Sequence, residues 1–136
     1  MRKPNLLKLQ PHRILGSWDA EEFGLQGSTE WVETHMPWLV SSAIAYLNID
    51  IAVSGPRTAL SGSGEIQTIA IETMKKVLFP DTWGIGPTLY DMWYNTTEGE
   101  IPPLGSGSDY AAFYHAGISA VSQIVRCLRC TRLTFA

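Results

Sequence analysis

The chain has 136 residues, of which 45% are hydrophobic and 17% charged, enough apolar material for one folded domain and too much for a disordered or low-complexity chain. With 10 basic against 13 acidic residues the net charge is -3, which argues against a nucleic-acid module. No apolar run approaches the roughly 18–20 residues that span a bilayer. The basic start MRKPNLLKLQPHR has no apolar stretch of signal-peptide length, so as written the chain reads as soluble, with no export address.

In chain order, Arg13–Trp18 is a short, partly apolar run that reads as a strand. The acidic cluster Asp19-Ala20-Glu21-Glu22 and a glycine-marked turn over Gly24–Gly27 follow it. Ser28 or Thr29 then caps a helix, with Glu30 in its first turn. That helix is expected to end before Pro37, because proline lacks an N–H and disfavours helical geometry in the residue before it. Ala43–Ala52 (AIAYLNIDIA) is nearly continuously apolar and predicts a strand buried on both faces, as in parallel sheets, with Asp50 near its end and Ser54-Gly55-Pro56 breaking it. Glu65–Phe79 predicts a helix whose inner stripe is Ile66, Ile69, Ala70, Thr73 and Val77, closed by Pro80.

From Asp81 to Ser108 the periodicity is weak, as in a functional or self-packed loop. A short helix over Asp109–His115 and an apolar run over Ile118–Val125 complete an alternation of strand and helix signals, which makes the fold α/β. The ending Arg126–Ala136 differs in composition, with three of the six arginines, both cysteines and no acid. Cys127 and Cys130 lack the second ligand pair of a zinc knuckle, and they come too late in the chain for a helix-start redox motif, so they read as incidental thiols.

The chemistry-bearing residues are acids. Glu21 and Glu22 follow one expected strand and Asp50 ends another, so neighbouring strands would bring all three to the sheet edge where α/β folds place ligands and catalysts. Three uncompensated carboxylates raise one another's pKa, and a divalent metal would relieve that. Adjacent glutamates point in different directions, so one can hold an ion while the other takes a proton from bound water. The plainer alternative is a solvated helix start and a strand-end cap. Gly105-Ser106-Gly107-Ser108 is either a flexible turn with Ser108 capping the next helix or a set of backbone N–H groups for an anion. His12, His35 and His115 lie far from the acids and suit surface or packing roles. Asn95-Thr96-Thr97 is a glycosylation sequon, relevant only in the secretory path.

SWDAEEFGLQGSTEW, AYLNIDIAVSG and PLGSGSDYAAF, in that order over about Arg13 to Val121, resemble the glutamate carboxypeptidase II family of zinc peptidases, also called N-acetylated alpha-linked acidic dipeptidases. The transferrin receptor is similar in fold and is not a peptidase. The resemblance implies a partial three-layer zinc-exopeptidase domain with a mostly parallel central sheet over residues 1–121, and a divergent Arg/Cys-containing tail over 122–136. It implies Glu21 as general base, Glu22 as ligand of one zinc and Asp50 of the other, and Gly107 and Ser108 on the substrate side, where some members have asparagine at the Ser108 position. The implied reaction removes a C-terminal residue, often glutamate, with water activated between two zinc ions. Two of the family's five zinc-binding side chains have matches here, so the chain is expected to be inactive by itself. The alternatives are a non-catalytic binding domain like the transferrin receptor, or a truncated product with no function of its own. The resemblance further implies a peptide partner with an acidic C-terminal residue and allows a homodimer in a full-length parent; the charge balance gives no nucleic-acid partner, and the compartment stays open, although members of the family are often membrane-anchored or secretory.

Overall fold

A strand needs a partner, and the pairing in the computed structural model, which describes residues 12–51, 58–79 and 85–125, decides which apolar runs become strands. Helix α1 (Gln26–Ser42) is followed by strands β1 (Tyr46–Asn48) and β2 (Thr58–Gly62), helices α2 (Gly64–Met74), α3 (Leu89–Thr97) and α4 (Tyr110–His115), and strand β3 (Ala120–Val125). The sheet order is β1-β3-β2. β1 runs parallel to β3, with Tyr46 opposite Ala120 and Asn48 opposite Ser122. β2 runs antiparallel to β3, from Thr58 opposite Val125 to Gly62 opposite Val121. Among the described residues this is a mixed sheet in a small α/β unit, with one parallel and one antiparallel pair rather than a mostly parallel set.

Alternation along the strands separates two cores. Tyr46 faces a cluster of Val32, Leu39, Phe113 and Ile118 supplied by α1, α4 and the turn before β3, with Trp18 and Trp31 packed against it. Val121 and Leu60, on the other face, pack with Met74, Leu89 and Trp93 from α2 and α3. Ser122–Val125, in the segment assigned to the tail, forms the last four of the six residues of β3. Residues 126–136, with both cysteines, lie outside the described residues.

Several expectations are corrected. Arg13–Trp18 forms no strand: it has no ladder partner among the described residues, and Leu15 is 93% exposed. Helix α1 starts at Gln26, ahead of Ser28 and Thr29, because backbone carbonyls of the acidic turn serve its first amides. Gln26 N donates to Ala20 O at 3.3 Å and Gly27 N to Asp19 O at 3.1 Å. No side-chain cap is needed, and Ser28 is buried inside the helix. The same helix runs through Pro37 to Ser42. The carbonyl that loses its donor there belongs to Glu33, on the exposed side, while Leu39 beyond the proline is buried in the core.

β1 is only three residues long and is not buried on both faces, since Leu47 is 65% exposed. α2 stops at Met74, five residues before the expected end. Its inward side is Ile66, Ala70, Ile71 and Met74, and Ile69 points to solvent. The weak stretch holds α3, started by a reciprocal cap. Asp91 N donates to Thr88 Oγ1 at 3.2 Å, and Thr88 N donates to Asp91 Oδ2 at 2.9 Å. α4 and β3 lie where the sequence puts them, at Tyr110–His115 and Ala120–Val125.

Candidate functional site

The acidic turn folds back on itself before α1 begins. Ala20 and Leu25 sit at φ 55° and 59°, left-handed geometry that costs a side chain energy and persists only where its surroundings hold it. The holding bonds are local: Leu25 N donates to Glu21 O at 2.9 Å, Gly24 N to the same oxygen at 3.1 Å, and Ala20 N to Asp19 Oδ1 at 2.8 Å. Gly27 has to be glycine, because a Cβ there would stand 2.5 Å from Asp19 O. Before the turn, Trp18 anchors it to the sheet. Its indole Nε1 donates to Tyr46 Oη at 3.0 Å, and its ring packs 5.7 Å from Phe113 of α4.

The second part is the end of β1 with the turn before α4. Asn48 is the last residue of β1, and Asp50 lies in the turn two residues beyond it rather than in the strand. Ser108, 3% exposed, reaches them across the fold: its Oγ lies 2.9 Å from Asp50 Oδ2 and 3.1 Å from Asn48 Nδ2. Its backbone carbonyl, not its hydroxyl, serves α4, accepting from Ala111 N at 3.0 Å, and no side-chain cap is formed there. Gly107 is exposed and its N–H donates to Tyr110 Oη at 3.3 Å, so that amide is already occupied within the turn.

These two parts meet electrostatically. Glu21 has its pKa raised, first by loss of solvent and then by the carboxylates of Glu22, Asp50 and Asp109. The Tyr46 phenol is likewise held above its ordinary value, first by burial and further by Asp109 and Asp50, with the bond from Trp18 opposing. Asp109 is a member that sequence reasoning used only as a helix start. It is 8% exposed, and its Oδ1 is buried without a hydrogen-bond partner. Its position next to Ser108 in the quoted PLGSGSDYAAF motif was the available signal. Asn48 was passed over in the same way, as the first residue of Asn-x-Asp.

The remaining candidates lie elsewhere. Asn95 is exposed on α3. His35 stacks on Trp31 at 4.5 Å and donates from Nδ1 to Trp31 O at 2.8 Å, a packing role. His115 ends α4, and His12 is exposed outside any element. Tested as a zinc site, the donor set fits in kind and falls short in number. The acids form an uncompensated negative cluster with an orphaned carboxylate oxygen, yet no three His, Cys, Asp or Glu side chains among the described residues converge to hold an ion.

An α/β unit with carboxylates just beyond a strand end carries them where such folds place ligands. Residues 8–126 match peptidase family M28, and the chain belongs to that family. It is 55% identical over 108 residues, 79% of its own length, to a probable glutamate carboxypeptidase of Arthroderma benhamiae. A probable glutamate carboxypeptidase of Arabidopsis thaliana, LAMP1, is 41% identical over 79% of the chain. Aminopeptidase NAALADL1 of Mus musculus is 38% identical over 75% of it. The chain spans about 15% of the length of these relatives.

Proposed function

We propose that this chain is the Glu21/Glu22/Asp50-bearing segment of a zinc-dependent exopeptidase of the glutamate carboxypeptidase type, which removes C-terminal residues from peptides. The observation that carries the reading is that Asp50 and Asp109, from separate parts of the chain, lie near enough to Glu21 to raise its pKa together with Glu22, while Ser108 Oγ holds Asp50 at 2.9 Å. The names of the relatives support the same class of reaction.

In this reading Glu22 and Asp50 each belong to a different zinc ion, within a longer three-layer domain whose sheet is mostly parallel. Zinc, when bound, would supply Lewis acidity and lower the pKa of water at the site. Glu21 would act as the general base, taking a proton from the attacking water and returning it to the leaving amine, a task for which a carboxylate with a raised pKa is suited. Gly107 and Ser108 lie on the side from which a peptide with an acidic C-terminal residue approaches. One ligand per ion does not hold zinc with useful affinity, so the 136-residue chain alone is inactive. The alternative reading is a non-catalytic binding domain on the same scaffold.

Two measurements test this. Zinc content per chain, after dialysis of the 136-residue protein against metal-free buffer, is expected to be near zero, and a value close to two overturns the missing-ligand argument. In a longer chain that carries this segment, Glu21→Gln is expected to abolish peptide hydrolysis while the fold persists. Undiminished turnover sinks the peptidase assignment of Glu21, and a longer chain that folds, binds peptide and never hydrolyses it supports the binding-domain reading.

A further inference from the structure

A serine hydroxyl has one proton to donate and two lone pairs to accept with, so its surroundings decide what it holds. Ser108 Oγ has three polar neighbours: Asp50 Oδ2 at 2.9 Å, Asn48 Nδ2 at 3.1 Å and Asn48 Oδ1 at 3.5 Å. The single proton goes to Asp50, whose oxygen is nearer and carries the charge, and the 3.5 Å contact lies at the limit of a hydrogen bond. Asn48 Nδ2 fills a lone pair of the same oxygen and reaches Ser122 Oγ on β3 at 3.4 Å. Asn48 is 6% exposed, so its amide is confined between β3 and the turn. The chain of donors therefore runs one way, from the Asn48 amide to the Ser108 hydroxyl to the Asp50 carboxylate.

We infer that Asn48 and Ser108 form a positioning pair that fixes the carboxylate of Asp50 through Oδ2. The pair rests on the reading of Asp50 as a ligand position, and it assigns Ser108 a role through Asp50 in place of direct contact with substrate. Asp50 is exposed in the turn that follows the three-residue strand β1, two residues beyond its last member Asn48. Ser108 holds it from 58 residues away. Asn48 keeps the hydroxyl from turning toward its own carbonyl oxygen by presenting a donor in the near position. Hydrogen-bond partners of a ligating carboxylate orient it, and losing one typically costs about 10–100-fold in metal affinity.

The test uses the metal-free 136-residue chain labelled with 13C and 15N. In H2O against D2O, the Asp50 carboxyl carbon is expected to show an isotope shift from the Ser108 hydroxyl proton, a readout that needs no variant. Ser108→Ala is expected to abolish that shift and speed solvent exchange of the Asn48 side-chain amide, and Ser108→Thr, which keeps the hydroxyl, to restore both. Asn48→Asp exchanges a donor for an acceptor beside Ser108, so it is expected to divert the proton and move the Asp50 carboxyl signal although Ser108 is untouched. The indole signal of Trp93 in the other core reports whether each variant is folded. Absence of the isotope shift in the unsubstituted chain, or an Asp50 signal identical in Ser108→Ala, overturns the pair. Because these readouts involve neither zinc nor turnover, that result leaves the peptidase reading to be judged by its own assay.

Discussion

The indole of Trp18 donates to the phenol of Tyr46 across 3.0 Å, and this bond fastens the acidic turn to the strand that leads to Asp50. Tyr46 in turn stacks on Phe113 at 4.1 Å, so turn, strand and α4 share one aromatic anchor. The site is thus held together by packing beneath it rather than by contacts among its acids.

Tyr46→Phe keeps the ring and removes the acceptor, leaving an indole N–H without its partner. The expected loss is about 1–2 kcal/mol in urea denaturation at neutral pH. The phenol pKa is raised in the folded state, so the neutral phenol favours folding. Its contribution is complete below the unfolded value near 10 and is lost as pH rises through the higher folded value. The unsubstituted chain should therefore lose stability above that unfolded value more steeply than Tyr46→Phe, and parallel pH curves would contradict the assignment.

Glu21 obeys the same sign at lower pH. Its pKa is raised, so the protonated form favours folding; that contribution is complete below the ordinary carboxylate value and disappears as pH rises through the folded value. Glu21→Gln, which removes the charge, should therefore raise the melting temperature at pH 7 and leave it unchanged at about pH 2.5, well below the ordinary carboxylate value, where neither side chain is charged in either state. Calorimetry at the two pH values checks this, and an equal effect at both would mean the carboxylates do not interact.

Much of the site was legible in the sequence because it is carried by short contiguous motifs. The Asp-Ala-Glu-Glu cluster marks a turn, and Asn-x-Asp marks a strand end. What the motifs could not convey is partnership across the fold. Ser108 looks like a helix cap when only its neighbours are read, and only the folded chain brings it to Asp50. The start of α1 was misread for a related reason: its caps are backbone carbonyls of Asp19 and Ala20, and these leave no trace in residue identity. β2 escaped notice because five residues with two glycine or serine positions have no strong period until β3 pairs with them. Arg13–Trp18 failed in the opposite sense, having strand composition and no partner among the described residues.

Helix α3 depends on its reciprocal cap, since it has only nine residues and buries Leu89, Met92 and Trp93. Thr88→Ala removes the acceptor for Asp91 N and should cost about 1 kcal/mol. Asp91→Ala removes the other half of the box at a similar cost. The double variant should cost much less than the sum, because either change alone breaks the same unit. Chemical denaturation of the four proteins completes the cycle, and strict additivity would show that the two bonds act separately.

Pro37 lies inside α1 with an exposed ring position, and the Glu33 carbonyl it deprives of a donor is also on the exposed side. Proline in a helix interior is about 3 kcal/mol less favourable than alanine, and the entropy that proline removes from the unfolded chain returns roughly 1 kcal/mol of that. Pro37→Ala should therefore stabilise the chain by about 1–2 kcal/mol and increase its helical circular dichroism. The gain requires that the helix axis beyond residue 37 can straighten without lifting Leu39 from its place beside Val32 and Phe113. A loss of stability in the same experiment would mean that the local geometry imposed by Pro37 seats Leu39 in its core with Val32 and Phe113.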